Sequence, residues 1–313
     1  MSPALRGALL ALAAFGVYST HDVVVKTLGA HYSAFQIVFF VGLFSFPLIT
    51  LLLMQDKTDG NLIPRHPWWS ALRSFASLGA LVFGFFAFSQ LPMAQTYAIL
   101  FATPMLITLL SIPMLGEKVG LRRGLAVLVG MIGVLIVLRP GSAPLSLGHL
   151  AALGGALAGA TSSIIVRKIG ANERSVVLML YPMMLQVLGM ALLMPWYYVP
   201  MPFEHLALNA LVAAFSVVAG LLLIAAYRAA PAVVAAPMQY SQLLWAAFYG
   251  WLFFSESIDL WTGVGAAVIV GSGLYIVLRE GRPQVSQNQP VSQNRWRLDA
   301  GPILRLGLWP RRK

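Results

Sequence analysis

The sequence predicts an all-α integral membrane protein with ten transmembrane helices, arranged as two inverted repeats of five helices each. The chain of 313 residues is 59% hydrophobic and only 10% charged, whereas a soluble domain carries roughly 25% charged residues. Apolar runs recur with about 20 residues each, the length that a helix needs to cross the hydrocarbon of a bilayer. Short motifs also return about 140 residues later in the chain. Together these observations indicate a duplicated membrane protein.

The two halves carry the same motifs in the same order. Ile-Val-Leu-Arg stands at 136–139 and again at 276–279, and Glu117 is matched by Glu256. The other matched pairs are Pro92 with Pro231, Gly124 with Gly263, Thr20 with Thr161, and Gly29 with Gly170. Internal duplication in so hydrophobic a chain is typical of transporters.

The expected organisation is a first repeat at 1–141, a second repeat at 142–281, and a basic, disordered cytoplasmic tail at 282–313. Each predicted span is a helix, because a helix satisfies its own backbone hydrogen bonds where water is absent. The ten spans cover 5–27, 33–54, 68–89, 93–115, 121–139, 147–167, 174–195, 205–228, 232–254 and 260–279. Pro92 and Pro231 each follow a very short connection and open the next helix, where the missing N–H costs nothing.

Lys and Arg residues set the expected orientation. With the N-terminus inside, 18 of the 21 basic residues lie on the inner side, Lys26 and Arg139 lie outside, and Arg73 lies within a span. Both termini are therefore expected in the cytoplasm, with the chain in the cell inner membrane. Because five spans per repeat is an odd number, the second repeat crosses the bilayer in the opposite sense. Such inversion provides two near-equivalent conformations, one open to each side.

The first span contains charge at bilayer depth, which costs roughly 2.5–3.5 kcal/mol or more and needs a partner or a wet cavity. Tyr18, Asp22 and Lys26 share one helical face, and His21 is adjacent to it. We assign Tyr18, His21 and Asp22 to substrate or proton binding. The alternative is an Asp22–Lys26 pair at the interface. The second repeat has Ser162 and Ser163 at the matching places, and this asymmetry favours a site.

The ninth span is the richest in polar groups, and Pro237 interrupts its backbone bonding. We assign four of its residues to substrate binding: Gln239, Tyr240, Gln242 and Trp245. Amides, a phenol and an indole would suit a planar metabolite that forms hydrogen bonds. The alternative is that these side chains join neighbouring helices, where such pairs contribute ~0.6 kcal/mol each.

The chain resembles the drug/metabolite transporter superfamily, and within it the EamA-like ten-helix transporters. The resemblance rests on the stretches 91–97, 102–104, 116–118 and 133–141, and on their equivalents in the second half. It implies a secondary carrier of amino-acid-, nucleotide- or vitamin-like metabolites. Many relatives carry a basic residue in the second helix where this chain has Val41. If that residue binds an anionic substrate in the relatives, such a substrate is not expected here.

In the resembled fold the third, fourth, eighth and ninth helices border a central cavity. The resemblance therefore adds Tyr97 and Thr103 of the fourth span to the candidate substrate-binding residues, and Pro104 is expected to kink this helix. Gln36 of the second span is a further candidate. Glu117 and Glu256 close the fourth and ninth spans, where we expect each to accept backbone donors at the start of the next helix.

Several function classes are excluded or disfavoured. The chain has no cysteine, so disulfides and thiolate metal sites are excluded, and its scattered histidines predict neither a metal site nor a cofactor. More than half of its +11 net charge lies in the tail, which disfavours nucleic acid as a partner. The expected partners are a small-molecule substrate and the lipid bilayer, with a homodimer left open. A secondary transporter by alternating access, with proton coupling left open, is preferred over a passive channel or an intramembrane enzyme acting on lipid.

Overall fold

The structure is a computed structural model that describes residues 3–53, 62–117, 119–139, 145–169, 172–173, 175–230 and 232–280. The predicted tail at 282–313 and the predicted helix opening at Pro231 lie outside the described residues. The described chain is all helical, as predicted. Its helices are α1 Pro3–Gly29, α2 Ala34–Leu53, α3 Pro67–Gln90, α4 Met93–Leu100, α5 Thr103–Leu115, α6 Leu121–Leu138, α7 Leu147–Ile169, α8 Ser175–Tyr197, α9 Phe203–Ala229, α10 Ala232–Ala235, α11 Ser241–Phe254 and α12 Leu260–Glu280.

Six stretches of the described chain are long and apolar enough to cross a membrane. They lie in α1, α3, α7, α8 and α9, and in α4 and α5 taken together as Met93–Leu115. Shorter apolar helices occupy Ala34–Leu48, Gly124–Leu138 and Leu260–Tyr275. Composition and length thus make the chain a multi-pass membrane protein.

The fourth predicted span is broken where its proline was expected to bend it. The helix stops at Leu100 and resumes at Thr103, with Pro104 in the first turn of α5. A proline ring displaces the carbonyl four residues before it, and the freed carbonyl is that of Leu100. The hydroxyl of Thr103 donates a hydrogen bond to this carbonyl over 2.6 Å, so the break leaves no unsatisfied acceptor there.

The ninth predicted span is also irregular, at the matching place in the second half. A 3₁₀ segment, Ala236–Tyr240, separates α10 from α11 and contains Pro237. Its last residue, Tyr240, meets Phe101 at the break of the fourth span, with ring centroids 5.2 Å apart. The two helix breaks therefore lie against each other. Phe101 and Tyr240 are each only 7% exposed, so this contact lies in the interior.

Helices α6 and α12 pack closely and run in opposite directions. The hydroxyl of Ser272 donates to the carbonyl of Ala126 over 2.5 Å, whereas Arg139 at the far end of α6 pairs with Asp259 just before α12. Between these contacts Gly133 and Gly265 face each other. Small residues allow such close backbone approach between membrane helices.

Replacing Gly265 by Ala is expected to destabilise the protein. A Cβ at this position would lie 2.7 Å from the carbonyl oxygen of Gly133 and 2.5 Å from a methyl group of Val137. Because a backbone oxygen cannot turn aside, the two helices must separate, at a cost of about 1–3 kcal/mol. The measurement is the thermal unfolding temperature of the purified protein in detergent. Gly271→Ala on the same helix is the control, since its Cβ would meet nothing within 4 Å; equal unfolding temperatures of the two variants would contradict the close packing.

Two further helix pairs hold α1 in the interior. Close contacts join Gly7 of α1 to Ala230 after α9, and Gly29 of α1 to Ser89 of α3. These contacts hold the two ends of α1 against neighbouring helices, and the polar residues His21 and Asp22 between them are buried.

Candidate functional site

A buried carboxylate lies at the centre of the candidate site. Asp22 of α1 is 9% exposed and its neighbour His21 is 7% exposed. Nδ1 of His21 lies 2.7 Å from Oδ1 of Asp22. The hydroxyl of Tyr97 donates a hydrogen bond to Oδ2 of the same carboxylate. The sequence prediction placed these three residues in the site, and the structure brings them into contact.

The network continues from α4 to α11. Nε2 of Gln242 donates to the hydroxyl of Tyr97 over 3.3 Å, so α1, α4 and α11 are joined through one set of polar groups. One carboxylate oxygen of Asp22 faces His21 on its own helix and the other faces Tyr97 on α4, so the carboxylate lies where α1 and α4 meet.

Aromatic rings surround this network. Phe85 of α3 meets the His21 ring edge-on at 5.8 Å. The Tyr97 ring lies 5.2 Å from Phe88 and 5.9 Å from Phe101, and Phe101 touches Tyr240. Aromatic faces attract a cation by about 0.5–2 kcal/mol each, more where water is excluded. A carboxylate among aromatic rings is a chemical environment suited to a positively charged group.

Lys26 pairs with Glu256, so the structure does not contain the alternative Asp22–Lys26 pair at the interface. Its Nζ lies 2.9 Å from Oε1 of Glu256 and donates to the carbonyl of Leu91 over 2.5 Å. Oε2 of Glu256 accepts the backbone N–H of Met93 over 2.9 Å. Glu256 thus receives a backbone donor, as expected, but at the start of α4 in the other half and not at the start of the following helix.

A matching ion pair joins the halves elsewhere. Glu117, the repeat equivalent of Glu256, pairs with Arg167, and Arg167 is the repeat equivalent of Lys26. The charged side chains are 12% and 19% exposed in the Lys26–Glu256 pair, and 13% and 11% exposed in the Arg167–Glu117 pair. We call them the Lys26 pair and the Arg167 pair. Each pair links the first half to the second.

The predicted residues Tyr18 and Trp245 lie beside the polar network and not in it. The Tyr18 side chain packs in an apolar cluster between α1 and α9. The indole of Trp245 lies 3.5 Å from the position of a Cβ on Gly16 and stacks on Tyr249 at 5.9 Å. Tyr249 in turn shares a 3.0 Å hydrogen bond with Thr20, so this contact joins α1 to α11.

The remaining predicted residues lie at the two adjoining helix breaks and on α2. The hydroxyl of Thr103 donates to the carbonyl of Leu100 at the break before α5. Gln239 and Tyr240 belong to the 3₁₀ segment. Gln36 is fully buried and lies apart from the network. Its Nε2 donates to the carbonyl of Val199 over 2.7 Å, and its Oε1 accepts the N–H of Val199 over 2.9 Å. A role in substrate binding stays a prediction for these four residues and for the other six candidates.

Sequence reasoning missed the two cross-half ion pairs, although a signal was present. Lys26 and Arg167 stand at the same offset as Thr20 and Thr161, and Glu117 matches Glu256. Equivalent basic and acidic residues in a duplicated chain indicate equivalent pairs. Among the residues that the structure describes, no three His, Asp or Glu side chains come together as a metal site.

The chain resembles known proteins both in sequence and in fold. The model of the EamA-like transporter family matches residues 5–139 and again residues 146–278. A solved crystal structure shares the fold with a TM-score of 0.56 at 17% identity, covering 87% of this chain and 96% of that chain.

Three similar proteins carry names of transporters. The chain is 24% identical to the S-adenosylmethionine uptake transporter of Rickettsia prowazekii, over 87% of this chain and 92% of that protein. It is 27% identical to the pseudopaline exporter of Pseudomonas aeruginosa, over 84% and 93% of the two chains. It is 31% identical to the riboflavin transporter of Rhizobium johnstonii, over 78% and 79%.

Proposed function

We propose that this chain, which belongs to the EamA-like transporter family, moves its substrate by alternating access between two inverted halves of five helices. Membership of the family makes the protein a transporter of small metabolites and not an enzyme. It also makes the protein a multi-pass membrane protein. The mechanism of transport, the residues of the site and the chemical class of the substrate are proposed below from the contacts in the structure.

The inverted arrangement is supported by how equivalent helices meet. Helices α6 and α12 are the last helices of the first and the second half, and they run antiparallel to each other. The repeats at 1–141 and 142–281 would then cross the inner membrane in opposite senses, with ten spans and both termini in the cytoplasm. The distribution of Lys and Arg is the reason for this orientation. With this orientation, the Lys26 pair would lie at the outer end and the Arg167 pair at the inner end.

The observation that carries the mechanism is the equivalence of these two ion pairs. Each joins a basic residue of one half to an acid of the other, at opposite ends of the proposed pathway. A carrier built from inverted halves needs one closure at each end, related by exchanging the halves. The Lys26 pair would close the outer end, and the Arg167 pair would close the inner end.

Asp22 is proposed to bind a positively charged group of the substrate. The described carboxylates at Glu117, Glu256 and Asp259 pair with Arg or Lys, whereas Asp22 lies inside α1 with His21 and Tyr97 as its partners. The aromatic rings around it favour a cation. S-adenosylmethionine, after which one relative is named, contains a sulfonium cation and is a reasonable first ligand to test.

Proton coupling would follow from the same pair of residues. His21 and Asp22 share a hydrogen bond, so the two side chains can hold one proton between them when no substrate is bound. A cationic substrate would take the place of that proton. Substrate and proton would then move in opposite directions through a shared site.

The function is tested by flux into proteoliposomes that contain the purified protein. Candidate compounds come from metabolite profiles of cells with and without the protein, together with S-adenosylmethionine and riboflavin. A carrier gives saturable uptake that is accelerated by unlabelled substrate inside the vesicle. Uptake that grows linearly with concentration and shows no acceleration would indicate a channel and overturn the mechanism.

A further inference from the structure

A groove lies between α6 and α12, away from the polar network. It has a volume of about 370 Å³ and is lined from α6 by Arg122, Leu125, Ala126 and Val129. Helix α12 contributes Gly271, Ser272 and Tyr275. The volume has room for about a dozen groups the size of a water molecule, which is enough for a long stretch of one hydrocarbon chain.

The groove exists because its floor is made of small residues. A Cβ on Gly271 would meet nothing within 4 Å, so no side chain fills the space beside it. The floor also attracts water poorly, because the hydroxyl of Ser272 already donates its hydrogen bond to the carbonyl of Ala126. Leu125, Val129 and Tyr275 form the walls and are 51%, 48% and 44% exposed.

The side chains around the groove indicate whether it faces water or lipid. Helix α6 presents exposed apolar side chains along its length, including Leu128 at 61% and Ile132 at 54%. In a membrane protein such a face meets hydrocarbon and not water. An apolar groove opening on this face is therefore accessible to acyl chains.

One end of the groove is basic. Arg122 lies in the first turn of α6, at the cytoplasmic end under the proposed topology, and Arg123 follows it in the chain. The Arg122 side chain is exposed, which leaves its guanidinium within reach of a lipid headgroup. A basic residue near the surface of the cytoplasmic leaflet attracts anionic lipid by ~1 kcal/mol, about fivefold in affinity.

From these features we propose that the groove is a binding site for one anionic glycerophospholipid of the inner leaflet. One acyl chain lies along Gly271 between Leu125 and Tyr275, and the phosphate lies against Arg122. The proposal depends on the cytoplasmic placement of the start of α6 but not on the identity of the transported substrate.

The test uses a fluorescent label on Leu128→Cys, one turn from Leu125, in the full chain reconstituted into vesicles. The chain has no native cysteine, so the label is unique. Quenching by brominated phosphatidylglycerol is compared with quenching by brominated phosphatidylcholine. We expect half-maximal quenching at an about fivefold lower mole fraction of the anionic lipid. Equal quenching by the two lipids would overturn the proposal and leave only bulk lipid in the groove.

Two variants separate the headgroup from the chain. Arg122→Gln is expected to remove the fivefold preference while quenching by phosphatidylcholine stays unchanged. Gly271→Leu is expected to fill the groove and to weaken quenching by both lipids. Gly124→Leu is its control, because Gly124 is also in open space and does not line the groove. A label protected from both lipids, in a protein that cross-links as a dimer, would assign this face to a second copy and overturn the lipid site.

Discussion

Replacing Asp22 by Asn is expected to abolish the pH dependence of transport and to lower the affinity for a cationic substrate about 10- to 100-fold. The substitution keeps the shape of the side chain and its ability to accept the hydrogen bond from Tyr97. It removes the negative charge, and hydrogen bonds to charged groups contribute about 1.5–3 kcal/mol each. A difference of about 1.4 kcal/mol is a factor of ten in affinity.

The measurement is initial uptake into proteoliposomes over a range of substrate concentrations at several values of pH. Glu204→Gln is the matched control, since it makes the same chemical change at an exposed position in the first turn of α9. This control should transport like the unmodified protein. Unchanged pH dependence in Asp22→Asn would reject the coupling role, and unchanged affinity would reject the cation site.

A second substitution distinguishes the two members of the pair. His21→Gln leaves the carboxylate in place and removes the ring nitrogen 2.7 Å from it. We expect this variant to keep its affinity for a cation and to show a shifted, but still present, pH dependence. Complete loss of pH dependence in His21→Gln alone would assign the proton to the imidazole and not to the carboxylate.

The fold could be predicted largely because membrane insertion imposes simple rules. Backbone groups must be satisfied within each segment, so length and hydropathy located the helices. Pro104 and Pro237 marked the two irregular spans, although Pro47 and Pro182 lie inside uninterrupted helices. The exact position of the break at Leu100–Thr103 could not be predicted from the sequence. Its location depends on which carbonyl the proline ring displaces and on Thr103 satisfying that carbonyl.

The candidate site was predictable as a set of residues but not as a set of contacts. A carboxylate inside an apolar helix is expensive, and this cost alone directed attention to Asp22. That Tyr97 is its donor could not be predicted, because the partner comes from another helix 75 residues later in the chain. Lys26 lies one turn from Asp22 yet pairs with Glu256, which follows α11, and a partner from the other half of the chain cannot be predicted from the spacing along one helix.

Breaking either ion pair is expected to favour the conformation that is open at the end where that pair lies. The two pairs should therefore shift the conformational equilibrium in opposite directions. Lys26→Gln removes the outer pair and should favour the conformation open to the outside. Arg167→Gln removes the inner pair and should favour the conformation open to the cytoplasm. Breaking a buried pair costs about 3–5 kcal/mol, and because both pairs are slightly exposed we expect a smaller shift, of at least about tenfold in the ratio of the two conformations.

Single cysteines introduced at two equivalent positions report this ratio. Thr20 lies on α1 beside Tyr249, toward the outer end under the proposed topology, and its repeat equivalent Thr161 lies on α7, toward the inner end. Both hydroxyls bond the carbonyl one turn earlier, and Thr20 also shares a hydrogen bond with Tyr249, so each charge variant is compared with its own Thr→Cys background. In the Thr20→Cys background, Lys26→Gln should speed labelling by a polar thiol reagent added outside. In the Thr161→Cys background, it should slow labelling from inside, and Arg167→Gln should reverse both effects.

Arg139→Gln serves as the control for this experiment. It breaks an ion pair with Asp259 that also joins the two halves, but those side chains are 30% and 47% exposed. Exposed pairs contribute only about 0–1 kcal/mol, so neither reporter should change by more than about fivefold. The opposed response is the decisive point, because a merely structural pair would loosen both ends together. If Lys26→Gln and Arg167→Gln shifted both reporters in the same direction, the pairs would stabilise the fold without gating it, and the proposed exchange of roles between the halves would be wrong.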